Sequence, residues 1–133
     1  MNQEEQRQFV RSRADRRCEY CHLPDVVPRT IRFHMEHVVA RQHGGKTEPA
    51  NLAWSCQRCN ARKGPNLSGV DPDTSAQVNL FNPRQDRWEE HFNVNGLIIV
   101  GLTPKGRATV WLLQMNAPER LRFRDSLRRH GLL

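Results

Sequence analysis

Four cysteines, set as two C-x-x-C pairs, constrain this chain more than any other feature of its 133 residues. The pairs are Cys18-Glu19-Tyr20-Cys21 and Cys56-Gln57-Arg58-Cys59, with 34 residues between them. A C-x-x-C step turns two thiolates onto one ion, and two such knuckles complete a tetrahedral four-sulfur shell of the kind that holds zinc. That shell is closed, so Cys18, Cys21, Cys56 and Cys59 are expected to bind a structural Zn2+ rather than a catalytic one. A chain this short buries a modest core, which a metal staple reinforces. The competing readings are free core thiols and a redox pair, although redox C-x-x-C motifs come singly beside a βαβ pattern. His22, directly after Cys21, is either a competing ligand or an exposed neighbour of a shell already filled by four sulfurs.

Lysine and arginine number 21 against 14 acids, a formal charge of +7. Such a balance suits a polyanionic partner, DNA above all, and disfavours a cationic one. No apolar run approaches the ~20 residues of a membrane span. The first 17 residues, acidic and then basic, lack the apolar centre of a secretory signal. A cytoplasmic setting without membrane contact is therefore expected, where thiols hold metal more often than they form disulfides.

Everything between the knuckles is pinned at both ends. Residues 29–39, RTIRFHMEHVV, alternate and are rich in β-branched and aromatic side chains, the mark of a strand. A period of two sends Ile31, Phe33, Met35 and His37 one way and Arg32, His34, Glu36 and Val38 the other. Glu36 and His37 then share a site only if the strand ends or bends near them, or if each reaches around an ion from its own side. Gly44-Gly45 supplies a turn. Leu52, Ala53 and Trp54 lead into the second knuckle, and a helix starting near Cys56 or Cys59 runs to a stop at Gly64-Pro65. The order strand, loop, strand, helix describes a ββα unit around a metal.

The string CEYC…HMEHVV…GG…NL…CQRCNARKG, roughly residues 16–66, resembles the HNH endonucleases in their four-cysteine form with a ββα-metal site. The resemblance implies that His37 is the general base that activates water. It implies that Asn51 orients the loop and the base. Glu36 takes the place usually held by aspartate, a ligand of the catalytic divalent ion. Asn60 matches the last ligand position. Glutamate is one methylene longer than aspartate, and an amide oxygen favours a hard ion, so Mg2+ is the expected catalytic metal, with Mn2+ or others as substitutes. The family chemistry is one-metal hydrolysis of DNA leaving 5′-phosphate and 3′-hydroxyl ends.

The residue types suit that chemistry on their own terms. A neutral imidazole accepts a proton from water at cell pH, and a divalent ion offsets the charge that builds on phosphate. His34, Arg41, His43, Lys46, Arg62 and Lys63 are candidate nucleic-acid contacts, with Arg58 nearby, against the plain reading of a solvated basic face. The alternative functions are a non-catalytic four-cysteine module that binds nucleic acid, and an RNase of the same fold.

Outside the core, residues 3–15 read as an amphipathic helix with Phe9, Val10 and Ala14 inward and Arg7, Arg11 and Arg13 on the basic surface. Residues 64–76 read as a connector, QVNLF (77–81) as a strand, and NVNGLIIVGLT as a hairpin turning on Asn95-Gly96. Thr103 caps a helix with Pro104 in its first turn and an apolar stripe of Ala108, Trp111, Leu112 and Met115. A second helix runs from Asn116 or Ala117 to Gly131, with Leu121 and Leu127 as packing points. It carries Arg120, Arg122, Arg124, Arg128 and Arg129 as a solvated face or a DNA contact. The expected class is α+β: one HNH nuclease domain over 1–133, with an N-terminal helix and a C-terminal extension (67–133) of hairpin and helices.

Overall fold

A computed structural model describes residues 1–25 and 31–133. Helix α1 (Gln3–Arg13) is capped by Asn2, whose side chain accepts from the Glu5 amide, and leads into the first knuckle. Strands β1 (Phe33–His37) and β2 (Leu52–Cys56) pair antiparallel, with Glu36 opposite Ala53 and His37 opposite Leu52. Helix α2 (Gln57–Lys63) follows at once and completes the expected ββα order. The expected strand over 29–39 is shorter, and its residues 29 and 30 lie outside the described residues.

The loop between β1 and β2 contains two 3-10 turns, Arg41–His43 and Pro49–Asn51. Gly44 has φ +89°, a left-handed conformation that favours glycine. At Gly45 a Cβ would stand 1.7 Å from the Val39 carbonyl oxygen, so only glycine lets the loop fold back on the strand.

Beyond the core, β3 (Ser68–Val70) pairs with β4 (Gln77–Asn79). The connector reading misses β3. Its turn is closed by Asp71, whose carboxylate accepts from the Asp73 amide, the Thr74 hydroxyl and the Arg107 guanidinium. The strand expected over 77–81 stops at Asn79, and Leu80 and Phe81 pass into the interior. A short helix α3 (Trp88–His91) precedes the hairpin β5 (Phe92–Asn95) and β6 (Ile98–Gly101). Asn95 pairs with Ile98, so the turn residues are Gly96-Leu97, one place later than expected. Gly96 carries the positive φ at the first turn position.

Helix α4 (Pro104–Leu112) starts as read, with the Thr103 hydroxyl accepting from the Gly106 amide at 3.0 Å. Its apolar stripe is corrected. Ala108 and Met115 are buried, but Trp111 is 60% exposed, and Gly106 and Thr109 take the inner face instead. A Cβ at Gly106 would lie 2.0 Å from the His91 carbonyl oxygen, so this glycine lets α4 touch α3.

Helix α5 (Pro118–Arg129) closes the chain. Its arginines do not form one solvated or DNA-facing row, because Arg120 and Arg124 are buried together with Leu127. Arg124 donates to the carbonyls of Leu97 and Met115 and to Asn116 Oδ1, binding α5 to the hairpin.

Helix α1 also departs from the expectation. Val10 is fully buried, but Phe9 is 43% exposed. Arg7 lies 4.6 Å over the Trp54 ring, Arg11 pairs with Asp25 at 2.8 Å, and Arg13 donates to the carbonyls of Pro49 and Leu52. These three arginines fasten α1 to the first knuckle and the ββα core, and Arg13 remains exposed.

Candidate functional site: a four-sulfur centre beside a histidine-bearing hairpin

The four cysteines converge. All are buried, and their sulfurs lie within 4.8 Å of one another. Tetrahedral bonds of ~2.3 Å from zinc to sulfur place neighbouring sulfurs about 3.8 Å apart, and the Cys21–Cys56 Sγ separation is 3.8 Å. Within each knuckle an amide faces the first sulfur, Cys21 N to Cys18 Sγ and Cys59 N to Cys56 Sγ, both at 3.5 Å. The donor set therefore fits a closed, structural zinc site. Among the described residues it is the one cluster of three or more histidine, cysteine or acidic side chains able to hold a metal. His22 is not part of it. Its ring stacks on Trp88 at 3.8 Å, and burial, aided by the charge of Arg17, lowers its pKa to about 4.

A residue read only as part of a charge run reaches this centre. The Arg120 guanidinium, on α5, donates to Cys59 Sγ at 3.1 Å and lies 4.0 Å from Cys56 Sγ, while its other arm donates to the Leu113 carbonyl. Burial works against its charge, but the charge of Cys59 and Cys21 outweighs that cost and raises its pKa. An arginine 61 positions beyond the last cysteine has no spacing signal that would mark it.

The hairpin end carries the chemistry-bearing side chains. His37, the last residue of β1, is partly exposed, and its Nε2 lies 2.8 Å from the Thr47 hydroxyl. Burial first, and then the charge of Arg41, lowers its pKa. Asn51 ties the loop: its Oδ1 accepts from the Val39 amide, and its Nδ2 donates to the carbonyls of Val39 and Lys46, each at 2.9 Å. Asn60 is half-buried on α2, and among the described residues its carboxamide has no hydrogen-bond partner.

Glu36 and Lys63 stand otherwise than expected. Glu36 is 4% exposed; Tyr20 donates its hydroxyl to Oε1, and Lys63 Nζ lies 3.2 Å from Oε2. Lys63 is 2% exposed and also donates to the Val38 carbonyl at 3.0 Å. Lys63 is thus interior, and its ammonium is engaged by Glu36 and the Val38 carbonyl instead of standing exposed for the expected phosphate contact. The ammonium stands directly beside the Glu36 carboxylate. In this pairing Glu36 and Asn60 do not form an open ion site. Burial raises the Glu36 pKa against the pull of Lys63 and Tyr20. The strand period explains the geometry: Glu36 faces α2 and the first knuckle, while His37 faces the loop.

The other candidate contacts sit outside. Arg41, His43, Lys46 and Arg62 are exposed around the hairpin, and His34 is half-exposed on β1 with its pKa lowered by burial and then by Arg7. Arg58 lies 5.6 Å over the Phe123 ring and so also fastens α5.

The HNH endonuclease family model matches residues 18–66. Those residues form an HNH domain. The match takes in both knuckles, the hairpin with His37 and the helix with Asn60, the same parts that geometry brings together. The chain is also 34% identical over 71 residues to the Septu protein PtuB of Bacillus thuringiensis. That alignment covers 53% of this chain and 25% of the relative. This chain therefore spans about a quarter of the relative's length. No solved structure matches the chain. No helix among the described residues is long and apolar enough to cross a membrane.

The remainder of the chain braces the HNH domain. Trp88 Nε1 donates to the Tyr20 carbonyl at 2.9 Å, and Arg84 pairs with Glu19, which also accepts from the Trp54 amide. The first knuckle is thus held from the C-terminal extension as well as by its own sulfurs.

Proposed function

We propose that this protein is a DNA endonuclease that hydrolyses phosphodiester bonds with His37 as general base. The observation that carries the reading is the setting of His37: a partly exposed imidazole at a hairpin end, anchored through Nε2, inside a segment matching the HNH endonucleases. With the Thr47 hydroxyl accepting from Nε2–H, the Nδ1 lone pair is left to take a proton from water. The lowered pKa keeps that lone pair available at neutral pH. Asn51 acts as a positioning residue, because it fixes Val39, two residues from the base, and the Lys46 carbonyl next to Thr47. Arg41, His43, Lys46 and Arg62, with the formal charge of +7, supply the attraction for a phosphate backbone.

The four cysteines hold structural zinc in this reading, which fixes β2 and α2 against the first knuckle. A catalytic divalent ion would offset charge on the phosphate. Mg2+ is the ion of first choice, and Glu36 and Asn60 would be its oxygen donors only if Lys63 gave up the Glu36 carboxylate.

The Glu36–Lys63 pairing favours one other reading, a zinc module that binds nucleic acid without cutting it, since the carboxylate is already neutralised from within. Nicking of supercoiled plasmid across a panel of Mg2+, Mn2+, Ni2+ and Zn2+ separates the two. Relaxed product in at least one metal supports the nuclease, and plasmid left supercoiled in all of them supports the binding module. Parallel digestion of RNA separates a DNase from an RNase of this fold.

A further inference from the structure

A cleft of about 280 Å³ opens where the HNH domain meets the C-terminal extension. One wall is Val38 and Val39, which follow His37 directly, with Lys63 and Asn66 of the α2 end. The other wall comes from the extension and includes Asn79, Gln85 and Lys105. No acidic side chain lines it among the described residues. Leu67, 43% exposed, adds an apolar contact, and the buried Leu80 and Phe81 floor it.

The amides differ in their engagement. Asn66 donates to the Lys63 carbonyl, and Asn82 accepts from the Arg84 amide. The Asn79 and Gln85 carboxamides have no hydrogen-bond partner among the described residues. A carboxamide offers a donor and an acceptor side by side, the pattern that meets the adjacent acceptor and donor on an adenine edge. The volume falls slightly below the ~300 Å³ at which ordinary small-molecule sites begin, which suits one planar base rather than a longer ligand. Apolar surface beside the amides suits its face.

We propose that this cleft seats one unstacked base of the DNA strand, adenine in preference, and that Asn79 and Gln85 read its edge. The proposal rests on the nuclease reading for DNA as the partner, but the binding of the base does not require cleavage. It gives the extension a role in recognition beyond bracing. A base held this way has left its stack, so single-stranded or underwound DNA enters more readily than a closed duplex.

The test uses binding, so it does not depend on cleavage. The full chain carrying His37→Ala is titrated with single-stranded oligonucleotides in which each position is varied through the four bases. The expected result is one position at which adenine binds roughly five-fold or more tighter than the weakest base. Adding Asn79→Ala and Gln85→Ala should flatten that preference while leaving affinity for the other oligonucleotides unchanged. Zinc content and melting temperature verify that the variant is folded, and Asn79→Ser with Gln85→Ser gives a second route should alanine disturb the strand. A preference that survives both amide replacements, or no preference at any position, overturns the proposal. A flat base profile beside active plasmid nicking would remove the base site and leave the nuclease intact. Base preference without nicking would do the reverse.

Discussion

The Arg120 guanidinium lies 3.1 Å from the sulfur of Cys59, joining the last helix of the chain to the metal-binding knuckles across 61 positions. Four thiolates around a divalent ion carry net negative charge, and a buried arginine offsets part of it. Replacing Arg120 by Met should accelerate zinc loss to a chromophoric chelator several-fold and lower stability by roughly 2 kcal/mol, the scale of a hydrogen bond to a charged group. Arg120→Lys should recover part of the retention, because the charge remains while the fork is lost. Zinc release at the unaltered rate from the Met variant would remove Arg120 from the metal's surroundings.

The Glu36–Lys63 pair makes a different demand. Both partners are interior, so Lys63→Met strands a buried carboxylate, at a cost of about 3–5 kcal/mol. Adding Glu36→Gln to that variant should recover a large share, since the stranded charge is then gone. Urea unfolding midpoints read both effects. Equal stability of the single and double variants would show that Lys63 does not neutralise Glu36.

Acid should act on the β3–β4 turn. Hydrogen bonds from Arg107, with those from Asp73 and Thr74, hold the Asp71 carboxyl far below its usual range. A depressed folded pKa means that the contribution is complete above the unfolded value of ~3.9 and is lost as pH falls through the folded one. The difference in melting temperature between wild type and Asp71→Asn should therefore stay constant from pH 7 to pH 5 and narrow below about pH 4. A gap independent of pH down to pH 2 would contradict the pairing.

Acid should also report on the base. His37 lies below its usual pKa through burial and then Arg41, so the acid limb of kcat/KM should fall below pH ~6.5. Arg41→Gln removes one of those causes and should shift the limb upward. A limb that does not move assigns the lowering to burial alone.

Much of the ββα core is legible in the sequence because its signals are local. Cysteine spacing, strand alternation, the Gly44-Gly45 turn and the stop at Gly64 each depend on residues a few places apart. The same alternation separates Glu36 from His37, which the structure bears out by turning one to Tyr20 and Lys63 and the other to Thr47. What escapes is long-range. No period announces that Lys63 fills the space beside Glu36, 27 residues earlier, or that Arg120 and Arg124 turn inward from a helix rich in charge. Strand β3 escapes as well: Gly69 and the Pro and Asp residues that follow the strand read as a connector, and the Asp71 turn is held partly from Arg107, 36 residues on.

On the proposed reading His37 takes the proton from the attacking water. Comparing His37→Ala with wild type on supercoiled plasmid, in the metal that supports nicking best, puts this to the test. Nicking should fall by at least about 100-fold, the scale of general-base catalysis, while zinc content and DNA affinity stay within two-fold of wild type, a band of roughly 0.4 kcal/mol. Nicking at the wild-type rate by the His37→Ala protein would contradict that reading.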